Sequence, residues 1–185
     1  MSVNFINPFL RAAQTVLITE IGSAVRRGKI YLEHNGCTSA DVTVLLSVVG
    51  EIQGIVLYSM EQRVALAIVS QILGQEYGRF DELAQSGIAE MGNVITGVAT
   101  TYLAEAGYRC NISVPTLILG KGTQLSTVGF KRLVVPLETE HGLITMHLAL
   151  RSARAPQEDA SHRNGHCGLG HEREGAPLHL QTAPR

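Results

Sequence analysis

The chain has 185 residues, 45% of them apolar but only 5% aromatic, which suits one soluble-type core of a single domain. Its net charge of −1 supplies no bulk field for nucleic acid. Its apolar runs stay under ten residues, where a membrane-spanning helix needs about 20.

In chain order, Asn7-Pro8 reads as an N-cap followed by a first helical residue. Phe9, Ala13, Val16, Leu17, Ile21 and Val25 follow at helical spacing, with Gly28 just beyond. The amphipathic start, with Asn4, Asn7, Arg11 and Gln14, is unlike a secretory signal. Three strands rich in β-branched residues are expected at 29–33, 42–49 and 53–58, with Asn35-Gly36 as a turn between the first two. Ser59-Met60-Glu61-Gln62 fits a capping box for a second helix that ends at Gly74. A third helix is expected from Asp81 to Ala106, closed by Gly107. Further strands are read at 109–114, 117–119, 125–135 and 143–150. This order predicts an α/β fold, a two-layer sandwich of a largely antiparallel sheet with helices packed on it.

Composition changes after residue 150. From 151 to 185 there is no Val, Ile, Met, Phe, Tyr or Trp. Such a segment buries too little apolar surface to offset its ordering entropy, so 1–150 is expected to be the folded domain and 151–185 a disordered tail. His162, His166, Cys167 and His171 within it have ligand types that suit Zn²⁺ or Ni²⁺, yet their spacing fits no standard finger. Cys37, Cys110 and Cys167 are odd in number and widely spaced, as free thiols of a reducing cytoplasm would be. Gly120-Lys121-Gly122-Thr123 lacks the phosphate-loop pattern and reads as a turn. Neither His141 nor His147 has an acidic or cysteine partner in sequence.

The third helix carries the chemistry. Ile88, Met91, Ile95, Val98 and Tyr102 share an apolar face. Ser86, Glu90, Asn93 and Gly97, at i, i+4, i+7 and i+11, form a stripe on roughly the opposite side, expected to face solvent or a partner. An interior glycine costs about 1 kcal/mol relative to alanine, so Gly87, Gly92 and Gly97 need reasons. Gly97 leaves room beside the polar stripe for another backbone; Gly87 and Gly92 suit close helix–sheet packing.

The run Ile88-Ala89-Glu90-Met91-Gly92-Asn93 resembles the E-x-x-N helix of the CheC/CheX/FliY chemotaxis phosphatases. That signature is Asp or Ser, three residues, Glu, two residues, Asn, and Pro about 22 residues on. Ser86, Glu90 and Asn93 match it; Pro115 follows one residue early. The opening Asn4-Phe5-Ile6-Asn7-Pro8-Phe9 is similar to the start of CheX proteins, and the resemblance covers about residues 3–150. Ile18-Thr19-Glu20-Ile21-Gly22-Ser23 parallels the motif seventy positions upstream, with Ser23 in place of the amide, so a second site there would be inactive.

The resemblance implies a phosphatase that hydrolyses the aspartyl phosphate of a CheY-like response regulator in chemotaxis. Asn93 would orient the attacking water and Glu90 would pair with the receiver's Lys. Ser86 and Gly97 would be partner contacts. It implies a homodimer, no cofactor or metal bound by this chain, and Mg²⁺ supplied by the receiver. The alternatives are a non-catalytic binding module for a receiver or a flagellar-switch component, and a structural dimerisation domain. Retention of both Glu90 and Asn93 favours catalysis.

Overall fold

The computed structural model describes residues 5–33, 37–127 and 131–153 and lays three helices on one face of an eight-stranded sheet. Helix α1 spans Ile6–Ile21. Phe9, Ala12, Ala13, Val16 and Leu17 recur at helical spacing and are buried. The helix starts earlier than expected. Phe5 precedes it with no side-chain cap, so Asn7 is not the N-cap. Pro8 lies in the first turn, where its missing N–H costs no intrahelical bond. The helix also ends earlier. Gly22 adopts φ +62° and its N–H donates to Ile18 O at 3.1 Å, so Val25 and Gly28 lie outside it.

The strands are β1 (Arg26–Arg27), β2 (Tyr31–Glu33), β3 (Cys37–Thr38), β4 (Val42–Gly50), β5 (Ile52–Met60), β6 (Cys110–Ile112), β7 (Thr116–Leu119), β8 (Gln124–Leu125), β9 (Arg132–Thr139) and β10 (Gly142–Ser152). The main order is β1-β9-β10-β5-β4-β6, with β2 also on β9 and β7 also on β4. Each of these pairings is antiparallel, and β3 and β8 form a separate ribbon. The expected α/β sandwich is thus what forms. The expected 125–135 strand is split, only Gln124–Leu125 and Arg132 onward being strand.

Period-two alternation decides the faces. Val42, Val44, Leu46 and Val48 of β4, Val56, Tyr58 and Met60 of β5, and Ile144, Met146, Leu148 and Leu150 of β10 join the helices in one core. Gly54 in mid-β5 has φ +144°, and a Cβ there would strike Ala149 O of β10, so only glycine fits. The opposite face buries Thr43, Leu57, Ser59, Arg132, Val134, His147 and Ala149. Arg132 there is fully buried and its Nη2 meets Glu33 Oε2 at 2.5 Å.

Helix α2 spans Gln62–Leu73. The expected capping box does not form, because β5 continues through Ser59 to Met60 and the N-cap position falls on Glu61. Ser59 Oγ instead hydrogen-bonds Thr43 Oγ1 across the sheet at 3.0 Å. Asp41 supplies the cap from a distance, its Oδ2 accepting from Gln62 N–H at 3.1 Å. Gly74 ends α2 in the left-handed region, as expected.

Residues 151–152, expected in the tail, belong to β10 and pair with Gln53 and Ile52. Ala153 N–H donates to Glu51 O at 2.8 Å. The rest of the tail, its His and Cys cluster and the Asn35-Gly36 turn lie outside the described residues. No helix among the described residues is long and apolar enough to cross a membrane.

Candidate functional site

Helix α3 spans Glu82–Glu105, and its start is fixed by side chains. Asp81 accepts from Ala84 N–H at 3.2 Å, and Tyr77 Oη donates to Asp81 Oδ2 at 2.7 Å. The Tyr77 hydroxyl bond, and then the Ala84 N–H, hold the Asp81 carboxyl below the usual range. Tyr77 N–H in turn donates to Ser70 Oγ at 3.0 Å, which ties the α2–α3 connection down. The start at Asp81 was legible in sequence; the Tyr77 clamp was not.

Ala84, Ile88, Met91, Gly92, Ile95, Thr96, Ala99 and Leu103 form the buried side of α3. Val98 and Tyr102, expected on that side, are only partly buried, and the Arg11 guanidinium of α1 stacks 4.1 Å over the Tyr102 ring. Gly92 seats the helix on the sheet. A Cβ there would lie 2.9 Å from Val44 Cγ1 and 3.3 Å from Tyr58 Cδ2. Beside it, Thr96 Oγ1 donates to Gly92 O at 2.7 Å, so its 3.0 Å contact with Tyr58 Oη must be a bond donated by the tyrosine. Burial raises the Tyr58 hydroxyl above its ordinary range, so it remains a donor. The three glycines therefore differ. Gly92 makes the expected helix–sheet contact, Gly87 faces Val69 of α2 rather than the sheet, and Gly97 faces open space.

The polar stripe comes together as expected. Ser86 and Glu90 are exposed, and Asn93 and Gly97 are half-buried at the helix flank. Asn93 Nδ2 donates to Glu90 Oε2 at 3.3 Å. The Asn93 amide oxygen accepts no bond from the described residues. The backbone under the stripe is satisfied, with Thr100 Oγ1 donating to Gly97 O at 2.7 Å. The result is a carboxylate and an amide oxygen uncommitted among the described residues, on a well-seated helix, facing away from the sheet. Such a pair can bind a cation and orient a water molecule.

The upstream parallel makes no such pair. Glu20 lies in the last turn of α1, but Ser23 lies beyond the Gly22 cap, is buried, and accepts from Glu140 N–H at 3.1 Å. Two residues that should share a helix face are parted by the helix end.

The sheet face away from the helices carries an open cavity of about 710 Å³, whose lining includes Tyr31, Cys37, Ser59, Lys121, Leu143 and His147. His147 is buried on β10 and its Nδ1 has no partner among the described residues. Burial, and then the Arg132 charge, push its pKa down to about 4. Gly120-Lys121-Gly122-Thr123 forms the expected turn, with Gly122 N–H donating to Ser39 O at 3.1 Å. Among the described residues no group of three His, Cys, Asp or Glu side chains is placed to hold a metal ion.

Residues 42–138 match the family described as chemotaxis phosphatase CheX, a span that holds β4, β5, α2 and all of α3. The CheY-P phosphatase CheX of Thermotoga maritima is 28% identical over 155 residues, covering 82% of this chain and 99% of that protein. A CheC-like superfamily protein from Shewanella sp. PV-4 superimposes with a TM-score of 0.75 at 26% identity, covering 82% of this chain and all of the other. CheX of Borrelia burgdorferi, solved as a CheX-CheY-BeF3-Mg²⁺ complex, gives a TM-score of 0.70 at 27% identity over 82% of this chain and 100% of that one.

Proposed function

The chain belongs to the chemotaxis phosphatase CheX family and is a protein phosphatase of a CheY-like response regulator; we propose that Asn93 and Glu90 of α3 carry this reaction. An aspartyl phosphate is an acyl phosphate with a good leaving group. Its hydrolysis needs positioning and charge neutralisation more than covalent catalysis. The receiver brings the phosphorylated Asp, a Lys and its own Mg²⁺. In the Borrelia complex the beryllofluoride stands in for the phosphoryl group.

What this chain adds is the amide. Asn93 Oδ1 accepts a hydrogen bond from a water placed in line with the P–O bond to the aspartate. As the water oxygen bonds to phosphorus, that P–O bond breaks and the Asp carboxylate leaves. The proton lost by the water ends on inorganic phosphate. An amide suits the task because it does not titrate and carries both donor and acceptor. Glu90 meets the receiver's Lys ammonium and gives up its bond from Asn93 Nδ2 as the complex closes. Ser86 and Gly97 border the contact, one with a small side chain and one with none. The observation that supports this reading is the Glu90–Asn93 pair on the outward face of α3, its amide oxygen unbonded among the described residues.

The test is the decay of a phosphorylated CheY-like receiver, followed with and without substoichiometric protein. A phosphatase releases many equivalents of phosphate. A binding module for a receiver or flagellar-switch component would leave the decay unchanged or slow it.

We also place the protein in the cytoplasm as a homodimer joined through its sheets. A receiver partner and the free thiols of Cys37 and Cys110 suit that compartment. The sheet face away from α3 presents Tyr31 and Leu143, each 48% exposed, and a two-fold contact there leaves both α3 stripes open. Light scattering at micromolar concentration is expected to give twice the chain mass. A monomer across that range would rule the dimer out.

A further inference from the structure

Leu83 begins the stripe. It lies in the first turn of α3 and is 55% exposed. It lies seven positions before Glu90, which puts it within about 20° of the same line and about 10 Å away along the axis. An exposed leucine alone is ordinary. This one is held on the helix that carries Glu90 and Asn93. The turn that presents it is clamped by Asp81, which caps Ala84 N–H and takes the Tyr77 hydroxyl. Ser86 and Gly87, between Leu83 and Glu90, carry little bulk. A partner surface laid along α3 to reach Asn93 therefore meets Leu83 as a large apolar group at one end of the contact.

We propose that Leu83 is the apolar anchor by which this chain docks its CheY-like receiver. This rests on the phosphatase reading above and divides the stripe by role. Leu83 and Glu90 set affinity, one by apolar burial and one by charge, and Asn93 sets rate.

The experiment compares wild type, Leu83→Asp and Leu83→Met. Each is titrated against the source organism's CheY-like receivers loaded with beryllofluoride and Mg²⁺, and each is assayed for phosphate release. For Leu83→Asp, Kd and KM are expected to rise about tenfold or more, because an apolar burial is lost and a charge is desolvated. Its kcat should stay within about twofold. Leu83→Met should restore both constants. Because Leu83 is half-exposed, the melting temperature should hold in all three. An unchanged Kd in Leu83→Asp overturns the proposal. So does a wild type that binds none of the receivers, or a fall in kcat at constant KM. A wild type that binds in a Leu83-dependent way yet releases no phosphate upholds the anchor and overturns the catalytic reading instead.

Discussion

Replacing Asn93 with alanine is expected to slow catalysed dephosphorylation roughly 100-fold or more while leaving receiver affinity within about twofold. The reason lies in what the side chain touches. Among the described residues Asn93 Nδ2 donates only to Glu90 Oε2, at a long 3.3 Å, and the amide oxygen bonds none of them. Its loss breaks nothing that seats α3, since Gly92, Thr96 and Tyr58 do that from the other side of the helix. Alanine is also the better helix former, so the helix should remain intact. Glu90→Ala should behave differently. It removes the carboxylate that meets the receiver's Lys, and losing one partner of a desolvated charged pair costs about 2–5 kcal/mol, a binding loss that is easy to measure. Glu90→Gln should fall between, because it keeps the shape and drops the charge. Stopped-flow decay of the phosphorylated receiver, paired with titrations against its beryllofluoride form, separates the two roles. Full activity in Asn93→Ala would sink the water-positioning role and leave α3 as a docking surface.

The second large effect concerns stability and lies on the other face of the sheet. His147 is buried, its Nδ1 is unpartnered among the described residues, and Arg132 and Glu33 are the charged groups that act on it. Its pKa is pushed from 6.5 down to about 4, so the folded protein keeps it neutral where the unfolded chain would protonate it. For a histidine lowered in this way, stability is complete above about pH 6.5 and is lost as the pH falls toward 4. Between pH 7.5 and pH 5 this residue alone should remove about 2 kcal/mol of unfolding free energy. Urea unfolding at the two pH values, with His147→Leu beside the wild type, measures it. The leucine variant should show a pH slope flatter by that amount. An equal slope in both proteins would mean that folding does not lower the pKa of His147. Because His147 lies on the sheet face away from α3, receiver dephosphorylation near neutral pH should be the same in both proteins.

Several features of the chain were decided locally and could be read locally. The α3 boundaries, the Asp81 start, the Gly107 stop and the Glu90–Asn93 stripe all depend on residues within a few turns of one another, where helical periodicity and capping act. The strands β4, β5 and β10 were legible for the same reason, because alternation and β-branching are properties of neighbours. Other features depend on residues far apart in the chain. Ser59 has the form of an N-cap, yet its hydroxyl has a stronger claim on it from Thr43, sixteen residues away and adjacent only once β4 and β5 pair. Asp41 caps α2 from 21 residues upstream, a distance that no capping pattern spans. Glu20 and Ser23 keep the spacing of the motif but lose its geometry at a helix end. Gly87, Gly92 and Gly97 are alike in sequence, and only the Val69, Val44 or empty space opposite each one tells them apart. His147 carried no sequence signal at all, since its low pKa comes from burial beside Arg132 on a neighbouring strand. By itself the sequence determined which helix bears the amide and the carboxylate. Sheet pairing decided which groups are buried, who caps whom and which helical turn ends free, because those depend on contacts between residues far apart in the chain.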